Sequence, residues 1–233
     1  MKAIKAILSV WAIYAMFPTI YYKYLHKAGS AGSQKLILTF DDGPDGCYTP
    51  QLLDLLKRHH ARAIFFVIAD KAIRHPNIIR RMIEEGHEVG LHCFKHRKAL
   101  YQLPHETVQD IERGSDFLDD LGVRVRYYRP PHGYVNLSML HFLKKKKIKM
   151  MLWDILPRDW TGKKAECIFG AMISRLHQGN IICLHDSGED TGGAPGAPDH
   201  MIQALERFIP RMQRIGFRFE LPDETISLND GSR

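Results

Sequence analysis

KLILTF, residues 35–40, is apolar on nearly every position and runs directly into DDGP, residues 41–44. A strand this apolar suits a parallel sheet covered on both faces. The same kind of run recurs as RAIFFVI (62–68), HEVGLH (87–92), VRYYR (125–129), IKMMLW (148–153), NIICLH (180–185) and GFRFE (216–220). Between these runs the spacing predicts helices at about 49–60, 74–86, 104–121, 136–147, 163–178 and 198–214. Leu52, Leu53 and Leu56, and then Ile79, Met82 and Ile83, mark the buried stripes of the first two. Thr49-Pro50 and Pro104 are helix-start signals, and Gly86, Gly122, Gly179 and Gly216 fall where helices should stop. The alternation predicts an α/β fold, a distorted, seven-stranded (β/α) barrel or strongly curved parallel sheet.

The chain has 233 residues, 45% of them hydrophobic, enough for one such domain, predicted over 35–233. Lys and Arg number 33 against 26 Asp and Glu, a formal charge of +7, which suits an anionic partner. The basic residues are spread along the chain and no nucleic-acid-binding motif accompanies them, so nucleic acid is not the expected partner. The one dense run, Lys144 to Lys147 with Lys149, reads as a solvated helix end favoured by the macrodipole. Four cysteines in a chain this long make no disulfide framework, and no pairing is expected. No obligate protein partner is evident.

Residues 1–34 read as a separate N-terminal segment. Lys2 and Lys5 precede an uncharged run from Ala6 to Ile20, the layout of an export signal. Trp11, Tyr14, Tyr21 and Tyr22 suit a membrane interface. The run is short for a spanning helix, which needs about 20 apolar residues. The expectation is an uncleaved anchor that holds the domain outside the cytoplasm; a cleaved signal with secretion is one alternative, and an ordinary core helix is another. Residues 29–33 then form a flexible linker.

In folds of this class the chemistry sits at the C-terminal ends of the strands. The polar residues near those ends are Asp41 and Asp42, His92 and His96, Arg129, Asp159, and His185. Two adjacent carboxylates closing an apolar strand need a compensating cation or proton, although Asp-Gly-Pro is also an ordinary turn. His92 and His96, four apart, join Asp42 in a set of three candidate ligands, the number that leaves a catalytic zinc one open position. The helical His-Glu-x-x-His motif is absent, because Leu91 stands where its second histidine would be. Arg129, stiffened by Pro130 and Pro131, can hold a carboxylate in a fixed orientation, or it is a surface arginine beside a rigid loop. The pair Asp159-Trp160 and the strand-ending Cys183-Leu184-His185-Asp186 complete the set, and Asp154 has an open role.

TFDDGP, the histidine pair, RPPHG, the Asp159-Trp160 pair and LHD, in that order, resemble the five motifs of the NodB-like polysaccharide deacetylase family, carbohydrate esterase family 4, over about residues 35–220. The resemblance implies that Asp42, His92 and His96 bind a divalent metal, zinc first, with cobalt or another transition ion as alternatives. It implies that Asp41 is the general base toward the attacking water and that Arg129 orients it. The backbone N–H of His132 would help hold the oxyanion. His185 would protonate the leaving amine while Asp159 holds it as imidazolium. Trp160 would wall the acetyl pocket, with His132 and Leu184 as further substrate-binding positions. The implied substrate is a polysaccharide of N-acetylated amino sugars, peptidoglycan or chitin-like, and the products are acetate and an amino sugar. Three positions depart from the family pattern: Cys93 replaces Ser or Thr, His132 replaces an aromatic residue, and Cys183 replaces Leu. Two rival readings keep the fold, a catalytically silent sugar-binding protein and an amidase for a small C–N substrate.

Overall fold

The computed structural model describes residues 9–25, 34–98, 101–187 and 191–222. Its centre is a curled parallel sheet of β1 (Lys35–Asp41), β2 (Ala63–Ile68), β3 (Glu88–Cys93), β4 (Tyr127–Tyr128), β5 (Lys149–Met150), β6 (Ile181–His185) and β7 (Arg218–Phe219). The strands run in the order β5-β4-β3-β2-β1-β6, and β7 pairs with β1 at Lys35 and Leu36 only. Helices α1 (Tyr48–Arg58), α2 (Ala69–Arg74), α3 (Pro76–Glu84), α4 (Pro104–Asp120), α5 (Leu137–Lys146), α6 (Ala165–Arg175) and α7 (Ala197–Arg214) connect them.

All seven expected strands are present, but they do not close a ring. β4, β5 and β7 have two residues each, too few to complete a barrel ladder. At the ends of the main path, β5 has no ladder to β6; the segment after β5 meets β6 at the isolated bridge Ile155–Ile182, with the Asp154 and Ile155 N–H groups donating to the Ile181 carbonyl at 3.0 Å each and the Cys183 N–H to the Ile155 carbonyl at 2.9 Å. The helix expected at 74–86 is α3 (Pro76–Glu84), and an additional helix, α2, precedes it, the two separated at His75 (φ −131°, ψ 52°). Pro76 causes the break, since a residue before proline is disfavoured in the helical region.

Strand pleat sorts the core into two layers. Leu36, Leu38 and Phe40 of β1 and Ala63, Phe65 and Val67 of β2 face the helices, with Leu52, Phe208 and Ile209. Ile37, Ile64, Phe66, Tyr127, Met151 and Ile181 fill the concave side. Each Val, Leu, Ile, Phe or Met among them contributes about 1.5–3 kcal/mol of burial. Alternation therefore puts Thr39 and Asp41 on the concave face with Ile37. The site begins there.

The N-terminal helix consists of a π-type turn (Ala12–Met16), an α-helical turn (Phe17–Ile20) and a second π-type turn (Tyr21–Leu25). One face is committed to the domain. Tyr14 Oη donates to Ser138 Oγ at 3.1 Å, and Thr19 Oγ1 donates to the Val135 carbonyl at 2.9 Å while accepting from the Val135 N–H at 2.8 Å. Ala15 is fully buried, whereas Val10, Ile13, Phe17, Ile20 and Tyr21 are exposed. Among the described residues no helix is long and apolar enough to cross a membrane, so the expected anchor finds no support there. The physical reason is the short run and the hydrogen-bonding groups on its inner face. The expected linker at 29–33 lies outside the described residues.

Candidate active site

The C-terminal ends of β1, β3 and β6 open into one cavity of about 550 Å³, lined by Asp41, Asp42, His92, His96, Trp160 and His185 among others. Asp42, the first residue beyond the regular pleat of β1, has φ +74°. That left-handed conformation swings its carboxylate toward β3, where His92 and His96 present Nε2 at 3.4 and 3.3 Å from Asp42 Oδ1. Gly43 permits the turn: a Cβ there would fall 2.3 Å from Asp186 Oδ2.

Candidate ligand atoms of Asp42, His92 and His96 all lie within 4.8 Å of one another. Burial pushes the Asp42 carboxyl upward, but the imidazoles of His92, His185 and His96 and the Thr191 hydroxyl outweigh it and hold it below the usual range. Burial also pushes the His92 imidazole downward, toward the neutral form. These directions conflict, because a neutral His92 cannot help hold Asp42 down. The neutral ring carries more weight, since it is buried on all sides and its Nδ1 has no hydrogen-bond partner among the described residues. The His92 lone pair and the His96 Nε2 then converge on a carboxylate oxygen that itself has no donor among the described residues. Such a set repels itself until a cation occupies it, and two nitrogens with one oxygen suit zinc or a neighbouring transition ion. Thr191 Oγ1 fixes the other oxygen, donating to Asp42 Oδ2 at 2.8 Å.

Asp41 is turned the other way. Its Oδ1 accepts from Arg129 Nη1 at 2.8 Å, and its Oδ2 from the Cys183 thiol at 3.4 Å. Arg129 is no surface residue. It is fully buried and donates also to Thr39 Oγ1, the Met151 carbonyl and the Leu152 carbonyl at 2.7, 3.0 and 2.7 Å, with its guanidinium 4.2 Å from the Phe66 ring centroid.

His185 ends β6. Asp159 grips it twice, accepting from its backbone N–H at 2.7 Å and facing its Nδ1 at 3.0 Å. Burial lowers this imidazole's pKa, but the Asp159 carboxylate, aided by Asp42 and Asp41, overrides burial and raises it to about 9. Trp160 packs its ring edge-on to His185 at 4.8 Å. His132 packs on His96 at the same centroid distance, and burial with the neighbouring His96 and Lys98 depresses its ring to about 4.

One expected pocket residue is misplaced. Leu184 points into the helix-facing core, because the pleat that turns Cys183 and His185 into the cavity turns Leu184 away. Asp154 caps β6 instead of joining the site, its Oδ2 accepting from the Asn180 and Ile181 N–H groups at 3.0 Å each. Thr191 and Lys23 line the cavity without having been singled out from sequence. Thr191 belongs to the Gly/Pro-rich stretch TGGAPGAP, readable only as a loop, and Lys23 lies just beyond the uncharged run read as an anchor.

A family model described as polysaccharide deacetylase matches residues 28–151. That match ends before Asp159 and His185, whose placement rests on the geometry above. The chain is similar to a peptidoglycan-N-acetylglucosamine deacetylase of Bacillus cereus, 33% identical over 197 residues that cover 83% of this chain and 89% of the relative. It is similar to a chitooligosaccharide deacetylase of Bradyrhizobium, 32% identical over 193 residues that cover 80% and 88%. Among solved structures it is similar to the Bc1960 peptidoglycan N-acetylglucosamine deacetylase, with TM-score 0.77 and 28% identity over 87% of this chain and 92% of that one.

Proposed function

This chain belongs to the polysaccharide deacetylase family, and we propose that it is a metal-dependent hydrolase that removes N-linked acetyl groups from the N-acetylated amino sugars of a cell-wall or extracellular polysaccharide. One observation carries the reading. A base held by a buried arginine and an acid held by a buried carboxylate flank one three-ligand cluster in a single cavity.

Asp42, His92 and His96 would hold the ion, zinc by preference, which when bound supplies Lewis acidity toward the amide oxygen. Asp41, its orientation fixed through Oδ1 by Arg129, takes a proton from the attacking water. The His132 N–H, in the loop that borders the cavity, would meet the oxyanion. His185 carries a proton at neutral pH, because Asp159 holds it at Nδ1, and releases one to the departing nitrogen. The amide C–N bond breaks, water supplies the new C–O bond, and acetate and a free amine result. Trp160 stands beside His185, where it would enclose the acetyl group.

The reading includes a location outside the cytoplasm, at the membrane surface. Lys2 and Lys5 and the exposed row Val10, Ile13, Phe17, Ile20 and Tyr21 support it. Membrane fractionation tests it; recovery only from the cytoplasm would end that part.

The deciding assay is acetate release from peptidoglycan, chitin oligomers and an acetylated exopolysaccharide with zinc or cobalt supplied. Release from at least one is expected. Binding without release would leave a silent sugar-binding protein, and release from small amides alone would point to the amidase.

A further inference from the structure

The N-terminal helix reaches into the catalytic cavity. Lys23 Nζ donates to the His132 carbonyl at 3.0 Å, lies 5.0 Å from the Tyr134 ring centroid, and borders the same cavity as Asp42 and His185. One turn earlier, Thr19 exchanges two hydrogen bonds with Val135. The helix thus grips the loop from Pro130 to Val135 at two points. On the other side of that loop, Gly133 (φ +68°) lies so close to Trp153 that a Cβ would fall 2.8 Å from its ring.

His132 needs such a grip. Its φ of +57° is a conformation that a side-chain-bearing residue keeps only where its surroundings hold it. The His132 carbonyl and the His132 N–H belong to the two peptides that meet at its Cα. With the two planes related by the φ of 57° and ψ of 9° that His132 adopts, a hold on the carbonyl side carries through to the N–H side.

We propose that the N-terminal helix completes the catalytic pocket and that Lys23 is a positioning residue, holding the His132 peptide so that its N–H points at the developing oxyanion. The proposal rests on the deacetylase reading, and it gives the N-terminal segment a task besides attachment. Lys23 makes no demand on substrate binding in this role, so its effect falls on turnover.

The test uses the full chain loaded with zinc. In Lys23→Met, kcat should fall about tenfold, less than the roughly 10²–10³ lost on deleting an oxyanion donor outright. KM should stay within about twofold. Amide hydrogen exchange at Gly133 and Tyr134, whose N–H groups close turns onto Pro130 and Pro131, should accelerate. Lys23→Arg keeps a donor and should recover most of the turnover. Tyr14→Phe, which loosens the same helix at Ser138, should keep wild-type kcat. Wild-type turnover and exchange in Lys23→Met would overturn the proposal. So would a raised KM at constant kcat, or an equal loss in Tyr14→Phe. If the wild-type protein releases no acetate from any glycan, the deacetylase reading falls, and exchange in Lys23→Met alone decides whether Lys23 holds the loop.

Discussion

Replacing Asp41 by asparagine separates chemistry from metal binding more cleanly than any other single change. Asparagine keeps an oxygen for Arg129 Nη1, which Asp41 now receives at 2.8 Å, but it cannot take a proton from water at neutral pH. Breaking a buried ion pair costs about 3–5 kcal/mol when one charge is left bare. Here Arg129 retains Thr39 Oγ1 and the Met151 and Leu152 carbonyls as acceptors and the Phe66 ring as a neighbour. The loss should therefore sit near the lower end, about 3 kcal/mol, and a domain with about 5–15 kcal/mol to spare still folds. Turnover should suffer more. General acid–base catalysis contributes about 10²–10⁴-fold, equivalent to about 3–5 kcal/mol of barrier. Metal content should not change, because Asp42, His92 and His96 form their cluster without Asp41. The assay pairs acetate-release kinetics with elemental analysis and a melting curve on the same preparation. An Asp41→Asn protein that loses its metal, or that turns over within about tenfold of wild type, would show that the two aspartates have been given the wrong roles.

Three further outcomes follow from the same geometry. His96→Ala should lose metal in elemental analysis while its melting curve stays cooperative, since His96 lies at the cavity edge; unchanged metal content would remove it from the ligand set. His185→Gln should lower kcat by about 10²–10⁴-fold and abolish the basic limb of the pH–rate profile. In the wild type that limb should lie at or below about 9, because a bound cation opposes the proton that Asp159 favours; an unaltered basic limb in the variant would exclude His185 as the acid. His87 should make the fold acid-sensitive: its Nδ1 accepts the Ala63 N–H at 3.2 Å, and burial lowers its pKa from 6.5 to about 4. The unfolded chain then binds more protons between those values, so stability falls as pH drops from 6.5 to 4, by about 3 kcal/mol in all. His87→Asn should flatten urea-unfolding stability over that window, and an unchanged slope would locate the acid sensitivity elsewhere.

Apolar runs disclosed the strands because a strand buried on both faces has little polar content to spare, and β1, β2, β3 and β6 match their expected positions closely. Termini were harder to read where hydrogen bonding, not composition, decides. VRYYR retains only Tyr127–Tyr128 as strand and IKMMLW only Lys149–Met150, and their short ladders leave the sheet unclosed. Helix α2 hid behind β2 because its Ala69 and Ala72 extend the apolar run. At the site, residue types and order brought forward Asp41, Asp42, His92, His96, Arg129, Asp159 and His185, and the structure gathers them. Leu184 was misread because a motif names neighbours, whereas a pleat sends neighbours to opposite faces. Lys23 was out of reach for a different reason. Its role depends on a contact with a loop 109 residues away, and local pattern carries no trace of that contact.

The same pleat argument explains why Asp41 and Asp42 diverge. An undisturbed strand would send Asp41 to the concave face with Ile37 and Asp42 to the helix side with Phe40. Asp41 obeys, which is why it meets Arg129 and the Cys183 thiol. Asp42 escapes only because the chain turns left-handed at φ +74°, a conformation costing an L residue about 1–3 kcal/mol unless its surroundings compensate. Compensation here comes from Thr191, from the two imidazoles of β3, and from whatever cation settles among them. Gly43 belongs to the same arrangement, since any side chain there would collide with Asp186 and block the turn. Asp-Asp-Gly is therefore one device with three parts. One acid is aimed by the strand, the next by the strained turn, and the glycine makes room, so that two carboxylates one bond apart in sequence serve different atoms of one reaction.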